Sequence, residues 1–167
     1  MGAVLTDTPD DTVSNPRWLD GTEMGAWRGF IDASQRLMEV LNRDLQAAHG
    51  ISLADYRILV MLSESPDGSV RMSELADGVL SSRSRLTHQI RRMEVEGLVA
   101  RSTCVDDGRG VLAVITDAGR ERLAVAAPTH VHGVRKYLID LLEPQELAAV
   151  ATVFAKVDAA LDERDDA

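Results

Sequence analysis

Ser84, Arg85, Thr87, His88, Arg91 and Arg92 carry the densest chemistry in this 167-residue chain. Each offers a hydrogen-bond donor on a short or planar head, and no carboxylate follows Arg85 until Glu94. At helical spacing they surround a face formed by Leu86, Ile90 and Met93, which recur at i, i+4 and i+7 and would pack inward. Arginine forks and small hydroxyls set on a helix are the groups that pair with base edges in a DNA major groove. The same surface on an isolated helix is an ordinary solvated face, so the neighbouring elements must decide between the two.

The other reactive side chains argue for less. His130 and His132, with His88 and Cys104, invite a metal reading, but residues two apart on a helix project to nearly opposite sides, and the surrounding pattern is helical. Cys104 is the only cysteine, which excludes a disulfide framework within the chain. Arg101 and Arg109 would favour its thiolate and Asp106 and Asp107 would oppose it, so it reads as a small apolar residue at a strand end rather than a redox sensor. No His-Glu-x-x-His, Gly-rich phosphate loop or Gly-x-Ser-x-Gly elbow occurs. The chain is therefore read as no enzyme, with neither metal nor cofactor.

The elements that would position the donor-rich helix are legible on both sides of it. Residues 1–22 lack periodicity and read as a mobile acidic arm. From Glu23 to His49, Trp27, Phe30, Ile31, Leu37, Met38, Leu41 and Leu45 make a broad apolar stripe, closed by Gly50. Ser52 and Asp55 form a capping-box variant opening a helix whose Leu53, Tyr56, Leu59, Val60 and Leu62 face inward, until Pro66-Asp67-Gly68 breaks it. Val70 leads as a short strand into a small helix, Met72 to Asp77, and Gly78 permits the reversal before Ser81 or Ser82 caps the donor-rich helix. Gly97 stops that helix, and Leu98 to Thr103 and Val111 to Ile115 read as a hairpin around Asp106-Asp107-Gly108. Thr116 caps a long helix to about Leu142 with Pro128 inside it, and Pro144 opens a last helix. Its Leu147, Val150, Phe154, Val157 and Leu161 alternate spacings of three and four, a coiled-coil-like seam.

A net charge of -9 looks wrong for a nucleic-acid partner until its location is considered. Residues 1–25 sum to -4 and 139–167 to -6, whereas Leu80 to Arg101 carries five arginines against Glu94 and Glu96. Attraction to DNA is screened over about 8–10 Å in physiological salt, so the local basic patch outweighs the total. No apolar run approaches the roughly 18 residues of a membrane span, and no signal segment is recognisable, so a cytoplasmic location is expected.

These elements in this order resemble the MarR (multiple antibiotic resistance regulator) family over about Ala26 to Leu161. The specific stretches are MSELAD at 72–77, SRSRLTHQIRRMEVEGLVAR at 82–101 and DGRGVLAVITDAG at 107–119. The resemblance implies a mainly α fold with a small β wing, in which a winged helix-turn-helix lobe (51–116) is joined to dimerisation arms (23–50 and 117–162), with an acidic tail at 163–167. It implies a homodimer on double-stranded DNA, with Ser82, Ser84, Arg85, Thr87, His88 and Arg91 facing the major groove beside Arg92. Arg109 would reach the minor groove from the wing tip, held by Asp107. The chain departs from the family pattern at Cys104, where an aspartate is commoner, and at Gly78, which precedes the family's usual turn glycine. A pocket for an aromatic or phenolic effector is also implied, with Trp27, Tyr56 and His130 as lining candidates that could equally be core. The expected function is a repressor of a pseudo-palindromic operator; the alternatives are a thiol- or metal-responsive DNA-binding sensor, and an interaction module whose DNA binding is vestigial.

Overall fold

The computed structural model describes residues 16–103 and 110–165, and among them the fold is mainly helical with one small sheet. In chain order these are α1 (Gly21–His49), α2 (Leu53–Glu64), β1 (Ser69–Arg71), α3 (Met72–Gly78), α4 (Arg83–Val95), β2 (Val99–Thr103), β3 (Val111–Ile115), α5 (Asp117–Tyr137), a 3-10 turn (Ile139–Leu141) and α6 (Pro144–Asp165). The chain forms two compact units that divide between Arg36 and Leu37.

In the first unit, α1 begins at Gly21 rather than Glu23 because Asp20 caps it. The Asp20 carboxylate accepts from the Thr22 and Glu23 amides at 2.8 and 2.9 Å, and the Glu23 carboxylate accepts from the Asp20 amide at 2.9 Å. Trp27 and Phe30 lie on the exposed side of this segment with ring centroids 6.3 Å apart.

The second unit holds the core. Leu45, Ile51, Ile58, Leu59, Leu62, Leu75, Leu86, Ile90, Met93, Leu98, Val99, Ala113, Ile115 and Ala126 pack as one apolar cluster. Aliphatic side chains dominate it, as a chain with 4% aromatic residues requires. The sheet order is β1-β3-β2, all antiparallel, with Val70 opposite Ala113 and Val99 opposite Ile115. The hairpin expected from sequence thus gains a third strand from Ser69–Arg71, which fixes α3 to the wing's base.

Two further features differ from expectation. The helix opened by Thr116, whose hydroxyl accepts from the Gly119 amide at 3.0 Å, ends at Tyr137 instead of Leu142. Leu138 leaves the helical region there (φ -139°), and the chain turns through the 3-10 segment before Pro144 starts α6. The reversal between α3 and α4 is carried by Leu80, at φ +52°, and not by Gly78. Gly78 is the last residue of α3, where a Cβ would fall 2.2 Å from the Met61 methyl, so its smallness serves packing instead. No helix among the described residues is long and apolar enough to cross a membrane.

Candidate nucleic-acid interface

α4 is seated by its apolar stripe: Leu86, Ile90 and Met93 are fully buried against α2, α3 and the sheet. Its start is set by Ser82, whose hydroxyl accepts from the Arg85 amide at 3.3 Å. Its end is set by Gly97 at φ +74°, where the Gly97 and Leu98 amides close back onto the Glu94 and Met93 carbonyls at 3.0 and 2.9 Å. With three side chains fixed inward and both ends capped, the outward residues hold a defined orientation.

Ser84, Arg85, His88 and Arg91 are exposed on that outward side, as the sequence places them. Arg83, which the spacing argument passed over, is exposed beside them. Two of the expected donors make hydrogen bonds within α4 and its cap. The Thr87 hydroxyl donates to the Arg83 carbonyl at 2.7 Å, a helix-internal bond that leaves its methyl outward-capable but withdraws its proton. The Ser82 hydroxyl serves as the cap and lies 3.4 Å from that of Ser84.

Arg92 has a structural partner that spacing did not reveal. Its Nη2 donates to Oδ1 of Asp55 at 2.5 Å and its Nη1 to Glu96 at 3.2 Å. Asp55 is 2% exposed, the only buried charged residue among those described, and its carboxylate accepts from Ser52, Gln89 and Arg92. The Ser52 hydroxyl and amide reach Oδ2 at 2.6 and 3.1 Å, and Gln89 Nε2 reaches Oδ1 at 2.9 Å. Burial pushes the Asp55 carboxyl up, but the bonds from Ser52, Gln89 and Arg92 together outweigh it and hold the group below the usual aspartate range. The capping box of α2 thereby ties two successive turns of α4 to the scaffold.

A second tie joins α4 to the wing. Arg101 on β2 donates through Nη2 and Nε to one oxygen of Glu94, at 2.7 and 3.0 Å. The wing residues singled out from sequence, Cys104, Asp107 and Arg109, lie outside the described residues.

Of the effector-pocket candidates, Tyr56 and His130 meet within the second unit, and Trp27 belongs to the first. The Tyr56 and His130 rings are 4.5 Å apart, and Tyr56 is part of the apolar core. Burial pushes the His130 imidazole below its ordinary value, and its Nδ1 is buried without a partner among the described residues. Tyr56 thus belongs to the apolar core, and the half-buried His130 lies against its ring.

Comparison with known proteins matches this architecture. A model of the MarR family matches residues 51–111. The crystal structure of AbsC, a MarR family transcriptional regulator from Streptomyces coelicolor, superposes with a TM-score of 0.84 at 43% identity, covering 88% of this chain and 99% of that one. Sco3205, a MarR family regulator from the same organism solved in complex with DNA, gives a TM-score of 0.84 at 40% identity, with 87% and 92% covered. YdgJ of Bacillus subtilis (strain 168), an HTH-type transcriptional regulator, is 28% identical over 89 residues; the match spans 53% of this chain and 53% of YdgJ.

Proposed function

Because the chain belongs to the MarR family of transcriptional regulators, DNA-binding proteins rather than enzymes, we propose that it is a homodimeric repressor of a pseudo-palindromic operator. The observation that carries this reading is α4: a helix locked to the core on one side, with Ser84, Arg85, His88 and Arg91 outward and no carboxylate among them. Arginines at its edge grip phosphates and supply salt-dependent affinity, while Arg85 and His88 touch base edges and supply discrimination. A single recognition helix reads too few base pairs for specificity, and two related by a two-fold axis read half-sites one helical turn apart. The apolar residues exposed on α6, Phe154, Val157 and Leu161, support a second copy as the partner that covers them. Repression follows from a dimer occupying a promoter, and release by a small aromatic acid completes the proposal, the ligand favouring a spacing of the two helices that the groove rejects.

The test is selection of genomic fragments by the purified protein, followed by titration of a selected duplex with wild type and Arg85→Ala. Wild type is expected to bind with submicromolar affinity, and Arg85→Ala to lose about 1–3 kcal/mol on the selected sequence and less on scrambled DNA. Equal affinity of wild type for selected and scrambled DNA would remove the sequence-specific reading.

A further inference from the structure

We propose that the cleft between α2 and α4 seats a backbone phosphate of the bound DNA, and that Arg57, outside the recognition helix, is its anchor. The inference rests on the reading of α4 as the DNA-facing helix.

The cleft has a volume of about 630 Å³ and runs along the flank of α4 beneath the α3–α4 turn. Arg57, Leu80, Ser81, Arg85, His88 and Arg92 contribute to its wall, and no carboxylate does. Arg92 is drawn back by Asp55 and Glu96, so Arg57 from α2 and Arg85 from α4 are the cations left to face the opening from two different elements. Arg57 makes one long bond, Nη2 to the Gly78 carbonyl at 3.4 Å, and the residue is exposed. The Ser81 hydroxyl is buried and has no partner among the described residues, although it can donate. The Arg57 fork, with the unpartnered Ser81 hydroxyl in the same wall, is the donor set an oxyanion takes.

The occupant follows from where the cleft lies. A helix about 10–12 Å across fills a major groove about 12 Å wide, so its flanks face the phosphate rows that border the groove. A donor on the scaffold helix beside that flank meets a phosphodiester and not a base edge. Its contribution is therefore blind to sequence, unlike that of His88 or Arg85.

Anisotropy titrations of wild type, Arg57→Ala, Arg57→Lys and Arg91→Ala across a salt series test this, on a duplex selected from genomic fragments and on a scrambled duplex of equal length. Arg57→Ala is expected to bind both duplexes about 5–10-fold more weakly and to lower the salt slope by about one per subunit, and Arg57→Lys to keep the slope. A methylphosphonate placed singly along the selected duplex is expected to weaken wild type at one flanking position where Arg57→Ala is indifferent. Unchanged affinity and slope in Arg57→Ala, with Arg91→Ala weakened, overturns the anchor and leaves the DNA-binding reading standing. Absence of binding by wild type to any duplex overturns both.

Discussion

Asp55 shows how one side chain can do two jobs that sequence separates. As the third residue of α2 it closes a capping box with Ser52, which the pattern Ser-x-x-Asp makes legible. As the counter-ion of Arg92 it fixes α4 from 37 positions away, which no local pattern reveals. Arg92 itself looked like its neighbours because helical spacing reports angle, and cannot report that a carboxylate waits in the groove between two helices. Asp55→Asn is expected to cost about 2 kcal/mol, since Arg92 and Gln89 lose a charged acceptor while the half-exposed Arg92 recovers some hydration. The sign of the pH effect follows from the direction of the shift. The folded value is depressed, so the contribution is complete above the unfolded aspartate's value of about 3.9 and fades as pH falls through the folded value. Urea unfolding of both proteins between pH 3 and 7 checks this: the stability difference should shrink toward the acid end, and a constant difference would assign the loss to packing. In DNA titrations the same variant should weaken selected duplex more than scrambled, because a loosened α4 loses alignment before it loses charge.

At the scale of elements, α3 and α4 end in the same way with different residues. Each closes through paired backbone bonds from the two residues after the cap: Leu80 to Asp77 and Ser81 to Ala76 at 3.1 and 2.9 Å, Gly97 to Glu94 and Leu98 to Met93 at 3.0 and 2.9 Å. The position requiring positive φ is glycine in α4 and Leu80 in α3. A leucine held at φ +52° costs about 1 kcal/mol, and at 86% exposure Leu80 recovers none of it by burial. Leu80→Gly is accordingly expected to raise stability by up to about 1 kcal/mol in a thermal melt; a lower melting temperature would mean that Leu80 has a packing partner. The helices, the strands flanking the wing and most caps could be read from periodicity and turn chemistry, because those signals are local. The left-handed residue could not, since Gly78 was the only glycine nearby and sequence shows no φ. The third strand was visible only as Val70 leading into α3, because its pairing with β3 spans more than forty residues.

For the whole molecule, charge and apolar surface are segregated. Acid gathers near both ends of the sequence while the outward side of α4 keeps its arginines, so net charge alone would have pointed away from DNA. Apolar residues meanwhile remain uncovered on α6, where Phe154, Val157 and Leu161 are each about half exposed. Phe154→Glu combined with Val157→Glu is expected to yield a monomer in sedimentation velocity, with winged-lobe stability changed by less than about 0.5 kcal/mol and affinity for a two-half-site duplex reduced at least 100-fold. An intact dimer in that variant would move the subunit contact elsewhere. None of the described side chains of α6 is fully buried, and helical stability in proteins comes mostly from packing of an amphipathic face rather than from propensity. If α6 seats the second copy proposed above, its amide protons should exchange quickly in dilute protein and slowly in concentrated protein while those of α4 hold steady, which would make the C-terminal segment a gauge of association; concentration-independent exchange would place the contact elsewhere.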